Sequence, residues 1–142
     1  MTDFINLTPH SIEVYPAAAF TKLEQTNPTT WVADCVDKTQ AIATYESQGV
    51  ARIETKVKQL ESRSSEAGFP MVVTTYGKAT GIPDNYYQIP NNLLPWFIVS
   101  LPMQSMARAS NHPFANAMVA PYQVVRQKDN GSVVLGCMGF TF

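Results

Sequence analysis

The sequence predicts an α+β fold, mainly antiparallel β-sheet with one short helix after a central strand, and three observations carry that prediction. Apolar residues recur at a period of two in short runs rich in β-branched and aromatic side chains. Asn130-Gly131 stands between two such runs, the strongest short-range hairpin signal a sequence offers. The densest apolar run, Trp96 to Leu101, passes directly into Pro102 and a string of helix formers. The 142 residues amount to one domain, 1–142, long enough to bury a real core.

Taken in order, Phe4 to Tyr15 reads as two short strands around the turn Thr8-Pro9-His10-Ser11, with Ile12, Val14 and Pro16 alternating against polar neighbours. His10 is either a ligand or general base, or a structural hydrogen-bonding residue of that turn. From Ala17 to Gln48 the pattern weakens, and Asp37 to Gly49 reads as a helical excursion capped by those two residues. Val50 to Leu60 alternates as a strand. Ala51, Ile53, Thr55 and Val57 point one way, and Arg52, Glu54, Lys56 and Lys58 the other. On that charged face Arg52 reads as a solvated sheet residue beside Glu54.

Glu61 to Gly68 is small and polar, hence a loop, and Phe69 to Tyr76 is the next strand. Gly77 to Asp84 carries turn chemistry, and Asn85 to Asn92 is an aromatic, amide-rich loop. Tyrosines there offer stacking faces and asparagines can read a base or ribose edge; equally, Tyr86 and Tyr87 could cover the core. Trp96 to Leu101 is the buried central strand, Pro102 opens a helix and Pro113 stops it. Arg108 near that helix's end either aims a guanidinium into a cleft or satisfies the last carbonyls. Beyond Pro113 the chain is irregular until Ala120–Arg126 and Ser132–Phe142, the two arms of the hairpin.

Composition narrows the function. Ten Lys plus Arg against eleven Asp plus Glu give a net charge of −1 with no long basic run, which leaves no electrostatic footprint for a nucleic acid polymer. A small anion remains open, since one or two converging arginines suffice to hold it. Only 15% of residues are charged, so part of the surface is expected to meet another copy of the chain. The two cysteines, Cys35 and Cys137, are far apart and outside any CxxC arrangement; both read as small buried hydrophobes of a protein from a reducing compartment. The opening residues lack the basic and apolar segments of a signal peptide, and no run is long enough for a membrane helix, so a cytoplasmic protein is expected.

Gly-rich phosphate loops, HExxH, nucleophile elbows and metal-spaced His/Cys/Asp clusters are all missing, and His10 and His112 are the two histidines. That inventory fits a binding protein better than an enzyme. No catalytic residue, metal or cofactor is expected.

Several short motifs stand in a telling order: Asn6-Leu7-Thr8-Pro9-His10, Ala51-Arg52-Ile53, Thr75-Tyr76-Gly77 with Gly81-Ile82-Pro83, Ile98-Val99-Ser100 with Ala107-Arg108, and Ala120-Pro121 with Arg126 and Gly136-Cys137. In that order they resemble a phage and prophage family, the anti-Thoeris sponge proteins that sequester cyclic ADP-ribose signals, across most of the chain outside residues 17–48. The resemblance implies a homo-oligomer, a dimer or an assembly of dimers, whose pockets bury a cyclic ADP-ribose isomer without cleaving it and so silence a host TIR-made signal. Some such sponges also hold cyclic oligonucleotides at separate arginine-lined sites. Carried onto this chain, the resemblance makes Arg52 and Arg108 phosphate clamps, Tyr76 a platform for adenine, and Asn91 or Asn92 a base or ribose reader. Tyr76 stands where the family pattern has Phe, and Ala109-Ser110-Asn111 follows Arg108 where the pattern has an acidic residue. Two other functions compete: a hydrolase or phosphodiesterase of a similar nucleotide with His10 or His112 as general base, and a non-catalytic virion or protein-interaction domain.

Overall fold

The computed structural model describes residues 3–142; Met1 and Thr2, the start of the segment read for a signal peptide, lie outside the described residues. In chain order the elements are β1 (Phe4–Asn6), β2 (Ile12–Val14), β3 (Phe20–Thr21), β4 (Glu24–Asn27), β5 (Thr30–Ala33), β6 (Cys35–Val36), β7 (Ala43–Tyr45), β8 (Arg52–Gln59), α1 (Glu61–Ala67), β9 (Val72–Thr80), β10 (Trp96–Ile98), α2 (Leu101–Ala109), β11 (Met118–Gln127) and β12 (Val134–Thr141). The fold is α+β, as expected. The main sheet runs β1-β10-β11-β12-β2-β7, and β5, itself paired with β4, adds to the far end of β11.

β11 is the spine. Its start pairs with β10, its end with β5, and its length with β12 in the antiparallel hairpin expected from Asn130-Gly131. Parallel pairs (β1 with β10, β10 with β11, β11 with β5, β12 with β2) alternate with the antiparallel ones, because the chain leaves the sheet through turns and α2 before returning. β10 lies inside the sheet, with Phe97, Ile98 and Val99 fully buried.

The two opening strands do not pair with each other. β1 joins β10, whereas β2 joins β12 and β7, and the turn between them closes the sheet on itself. Asn6 makes that closure. Its buried Nδ2 donates to the carbonyls of His10 (2.8 Å) and Tyr45 (2.9 Å), and its Oδ1 accepts from the Thr8 amide (3.0 Å). Across the same gap Gln48 N–H donates to the Asn6 carbonyl at 2.8 Å, and Asn6 bridges Ser47, so the two ends of the strand path meet in a nearly closed barrel.

Two clusters fill the interior. Leu7, Ile53, Phe97, Phe114 and Met118 pack with Met103 of α2, and Tyr15, Ala19, Phe20, Ala33 and Val125 form the second cluster. Ser100 caps α2 by accepting from the Met103 amide at 3.2 Å, which puts Pro102 in the first turn, where its missing N–H costs nothing. Buried Gln104 ties α2 to the sheet, with Nε2 3.1 Å from the carbonyls of both Met118 and Thr141.

Other parts of the chain depart from expectation, among them Gly77 to Thr80, read as turn, which the pairing with β8 keeps in strand β9. Asp37–Gly49 is not a helix: Asp37 caps a single 3-10 turn, Lys38–Gln40, through the Thr39 amide, and Ala43–Tyr45 then pairs with β2. Pairing with the sheet outweighs the modest helix propensity of Thr39 and Thr44. Glu61–Gly68, expected as a loop, contains α1, closed by Gly68 at φ +76° and anchored where Ser64 Oγ accepts from the Met71 amide at 2.8 Å. Cys137 is buried as expected, but Cys35 is exposed on the short strand β6. Among the described residues no helix is long and apolar enough to cross a membrane.

Candidate functional site

β8 and β9 form a separate two-stranded ribbon. Near its base the register slips by one residue: Ile53 faces Ala79 but Thr55 faces Tyr76, so Gly77 and Lys78 share the place opposite Glu54. Tyr76, opposite Thr55, and Ala79, opposite Ile53, thereby share one face of the ribbon, and the stretch from Tyr76 to Gly81 forms one wall of a cavity. The ribbon then ends in Gly81, whose φ of +85° and close approach to Val50, 1.8 Å from an added Cβ to the Val50 carbonyl oxygen, admit no side chain. Past Gly81, Asp84–Gln88 forms a 3-10 turn that brings Tyr87 back against the end of α2.

Between these pieces lies a cavity of about 520 Å³, lined by Tyr76, Lys78, Asp84, Tyr87, Asn111 and His112 among others. Asn111 adopts φ +54° just past α2, a left-handed conformation that asparagine tolerates well. His112 Nδ1 accepts from the Phe114 amide at 3.0 Å, and Nε2 lies 3.2 Å from Tyr87 Oη. The rings form one stack: Tyr87 to Phe114 is 4.5 Å between centroids, and Phe114 to Phe97 is 5.4 Å. Burial pulls the His112 pKa below its ordinary value, and burial together with Asp84 pushes the Tyr87 phenol up.

Of the residues expected to bind, Tyr76 alone lines this cavity. Arg52 is exposed beside buried Ile53, and strand alternation sends its side chain to the opposite face from the cavity-lining Ile53. Asn91 and Asn92 are exposed on the 3-10 turn Asn91–Leu93, outside the cavity lining. The Arg108 guanidinium sits 5.2 Å over the Phe142 ring, a cation–π contact on the helix surface. His10 is exposed too; its backbone carbonyl, not its ring, serves the Asn6 turn.

Lys78, Asp84 and Asn111 were not legible as site residues. Asn111 carried a usable signal, an asparagine between helix formers and His-Pro, which suits a left-handed cap. Lys78 carried none: between Gly77 and Gly81 it read as a turn residue, whereas it lies in β9. No family model, curated protein or solved structure matches the chain.

Proposed function

We propose that the protein is a non-enzymatic sponge, which binds a cyclic ADP-ribose-type nucleotide at this cavity and withholds it from a host immune pathway in the cytoplasm. The observation that carries the reading is the cavity itself: its volume suits a nucleotide-sized ligand, two tyrosine rings offer π-faces, and Lys78, Asn111 and Asp84 offer charge and hydrogen bonds at the rim. The motif order that resembles the anti-Thoeris sponges supports it independently. His112 has both ring nitrogens engaged, which favours holding over hydrolysis by a free imidazole base.

One chain supplies a weak anion clamp, since Asp84 opposes Lys78. A nucleotide diphosphate asks for more cation than that. Arg52 and Arg108 join the site only across copies of the chain, so the proposal includes a homo-oligomer. The ribbon supports one: its uncharged face carries Val57, Val72 and Tyr76, which are 66%, 54% and 39% exposed. The same surface would also serve a protein-interaction domain with no nucleotide ligand.

The test is to mix the purified protein with cyclic ADP-ribose isomers and cyclic di- and trinucleotides, remove free ligand, denature by heat and identify what is released by mass spectrometry. Intact cyclic ADP-ribose is expected. Linear product would indicate a hydrolase, and empty protein an interaction domain. Sequestration at sub-micromolar signal requires roughly −9 kcal/mol. Tyr76→Ala should weaken binding by about tenfold or more, the worth of one stacked base. Arg108→Ala tests the assembly: lost binding places the site across copies, and unchanged binding confines it to the cavity of one chain.

A further inference from the structure

We propose that His112 is a positioning residue that acts through Tyr87: held as the Nε2–H tautomer, it turns the Tyr87 hydroxyl hydrogen into the cavity, as a donor to an oxyanion or carbonyl oxygen of the bound molecule. The role toward a ligand rests on the nucleotide reading above; the polarity of the hydrogen bond does not.

The backbone fixes that polarity. The Phe114 amide can only donate, and it points at His112 Nδ1 from 3.0 Å, so Nδ1 must present its lone pair. A neutral imidazole then carries its proton on Nε2. Nε2 faces Tyr87 Oη at 3.2 Å, so the imidazole donates and the phenol oxygen accepts. Tyr87's own proton is left for another partner, and the ring lines the cavity together with Lys78 and Asp84.

The two other arrangements are disfavoured. A phenol donating to Nε2 would require an imidazole without any proton. An imidazolium would set Nδ1–H against the Phe114 N–H, and burial already opposes its charge. The ionisable neighbours on the cavity wall are Tyr76 and Lys78 on β9 and Asp84 and Tyr87 on the 3-10 turn. Asp84 helps keep Tyr87 a neutral phenol, and hence a donor. Packing against Phe114 holds the tyrosine ring in place.

Nitrogen NMR of the histidine rings in the intact, ligand-free protein reads the tautomer directly. An unprotonated Nδ1 and a protonated Nε2 at neutral pH are expected for His112; the reverse tautomer, or an even mixture, overturns the proposal. Binding of cyclic ADP-ribose, measured calorimetrically, then reads the consequence. Tyr87→Phe should weaken it about tenfold, the worth of one hydrogen bond to a charged acceptor. His112→Asn retains an acceptor for the Phe114 amide but lacks the Nε2–H, so it should fold normally and weaken binding by a similar factor. The double variant should bind no worse than Tyr87→Phe alone, because both changes remove one donor. Multiplying losses would show that His112 does not act through Tyr87. A protein that binds no nucleotide refutes the function proposed above, and the hydrogen-bond assignment then stands or falls on the tautomer alone.

Discussion

Asn6 shows how much a single buried amide can hold. It answers three backbone groups, the Thr8 amide and His10 carbonyl of the adjoining turn and the Tyr45 carbonyl of distant β7, and is itself fully buried. Asn6→Ala removes these bonds, although Thr8 Oγ1 still reaches the His10 carbonyl, and should cost about 2 kcal/mol or more in urea denaturation. Asn6→Asp, nearly the same shape, should cost at least as much, because a carboxylate oxygen would face two carbonyls. His10→Ala, a few residues on, should change stability by no more than about 0.5 kcal/mol, since the exposed ring takes no part in the turn. A large loss at His10, or a small one at Asn6, would overturn this account of the motif. Gly81→Ala is the second sharp test at this scale. With φ at +85° and the Val50 oxygen 1.8 Å from the new methyl, about 3 kcal/mol or more should be lost in the same assay.

Among the elements, the β8–β9 ribbon is the one the rest of the fold supports least. Two strands with both faces largely exposed are marginal in water, and beyond the bulge the ribbon packs on no core residue. Amides of Thr55–Gln59 and Val72–Tyr76 should therefore exchange with solvent hydrogen well before those of β10 and β11 in dilute protein. Protection that rises with protein concentration would show that a second copy covers the Val57–Val72 face; protection equal to that of β10 in a proven monomer would contradict the marginal ribbon. This ribbon also marks where the sequence was readable and where it was not. Its alternation was visible from Ala51 onward, as were β10, α2 and the Asn130-Gly131 hairpin, because each carries its own periodicity or turn chemistry. The bulge at Gly77–Lys78 was not, since register depends on the partner strand, and Gly77 to Thr80 read as a turn where β9 continues. The segment around Ala43–Tyr45 failed for a related reason: what fixes it is β2, distant in sequence. Tyr76 entered the candidate set only through the family resemblance, and the separation of Arg52 and Arg108 from it required the folded surface.

For the molecule as a whole, near-neutral charge makes acid stability a local matter. With a net charge of −1, general repulsion changes little on mild acidification, so individual shifted groups should dominate the profile. His112 is one of them. Burial lowers its folded pKa below the ordinary 6.5, so the unfolded chain binds the proton more readily than the folded one. Its contribution to stability is fully present above 6.5 and is lost as pH falls from there through the lower folded value. Asp37, held below 3.8 mainly by hydrogen bonds from Thr39 and Gln40, acts in a separate, more acidic window. Thermal melts from pH 8 to pH 4.5 should therefore show a decline beginning near 6.5 in the natural sequence. His112→Asn, which keeps an acceptor for the Phe114 amide but cannot titrate, should remove that decline and leave the melting temperature at pH 8 nearly unchanged. Parallel profiles for the two proteins would mean that the stack of His112, Tyr87, Phe114 and Phe97, which joins the cavity wall to the main core, tolerates a charged imidazole, and the tautomer lock would lose its thermodynamic support.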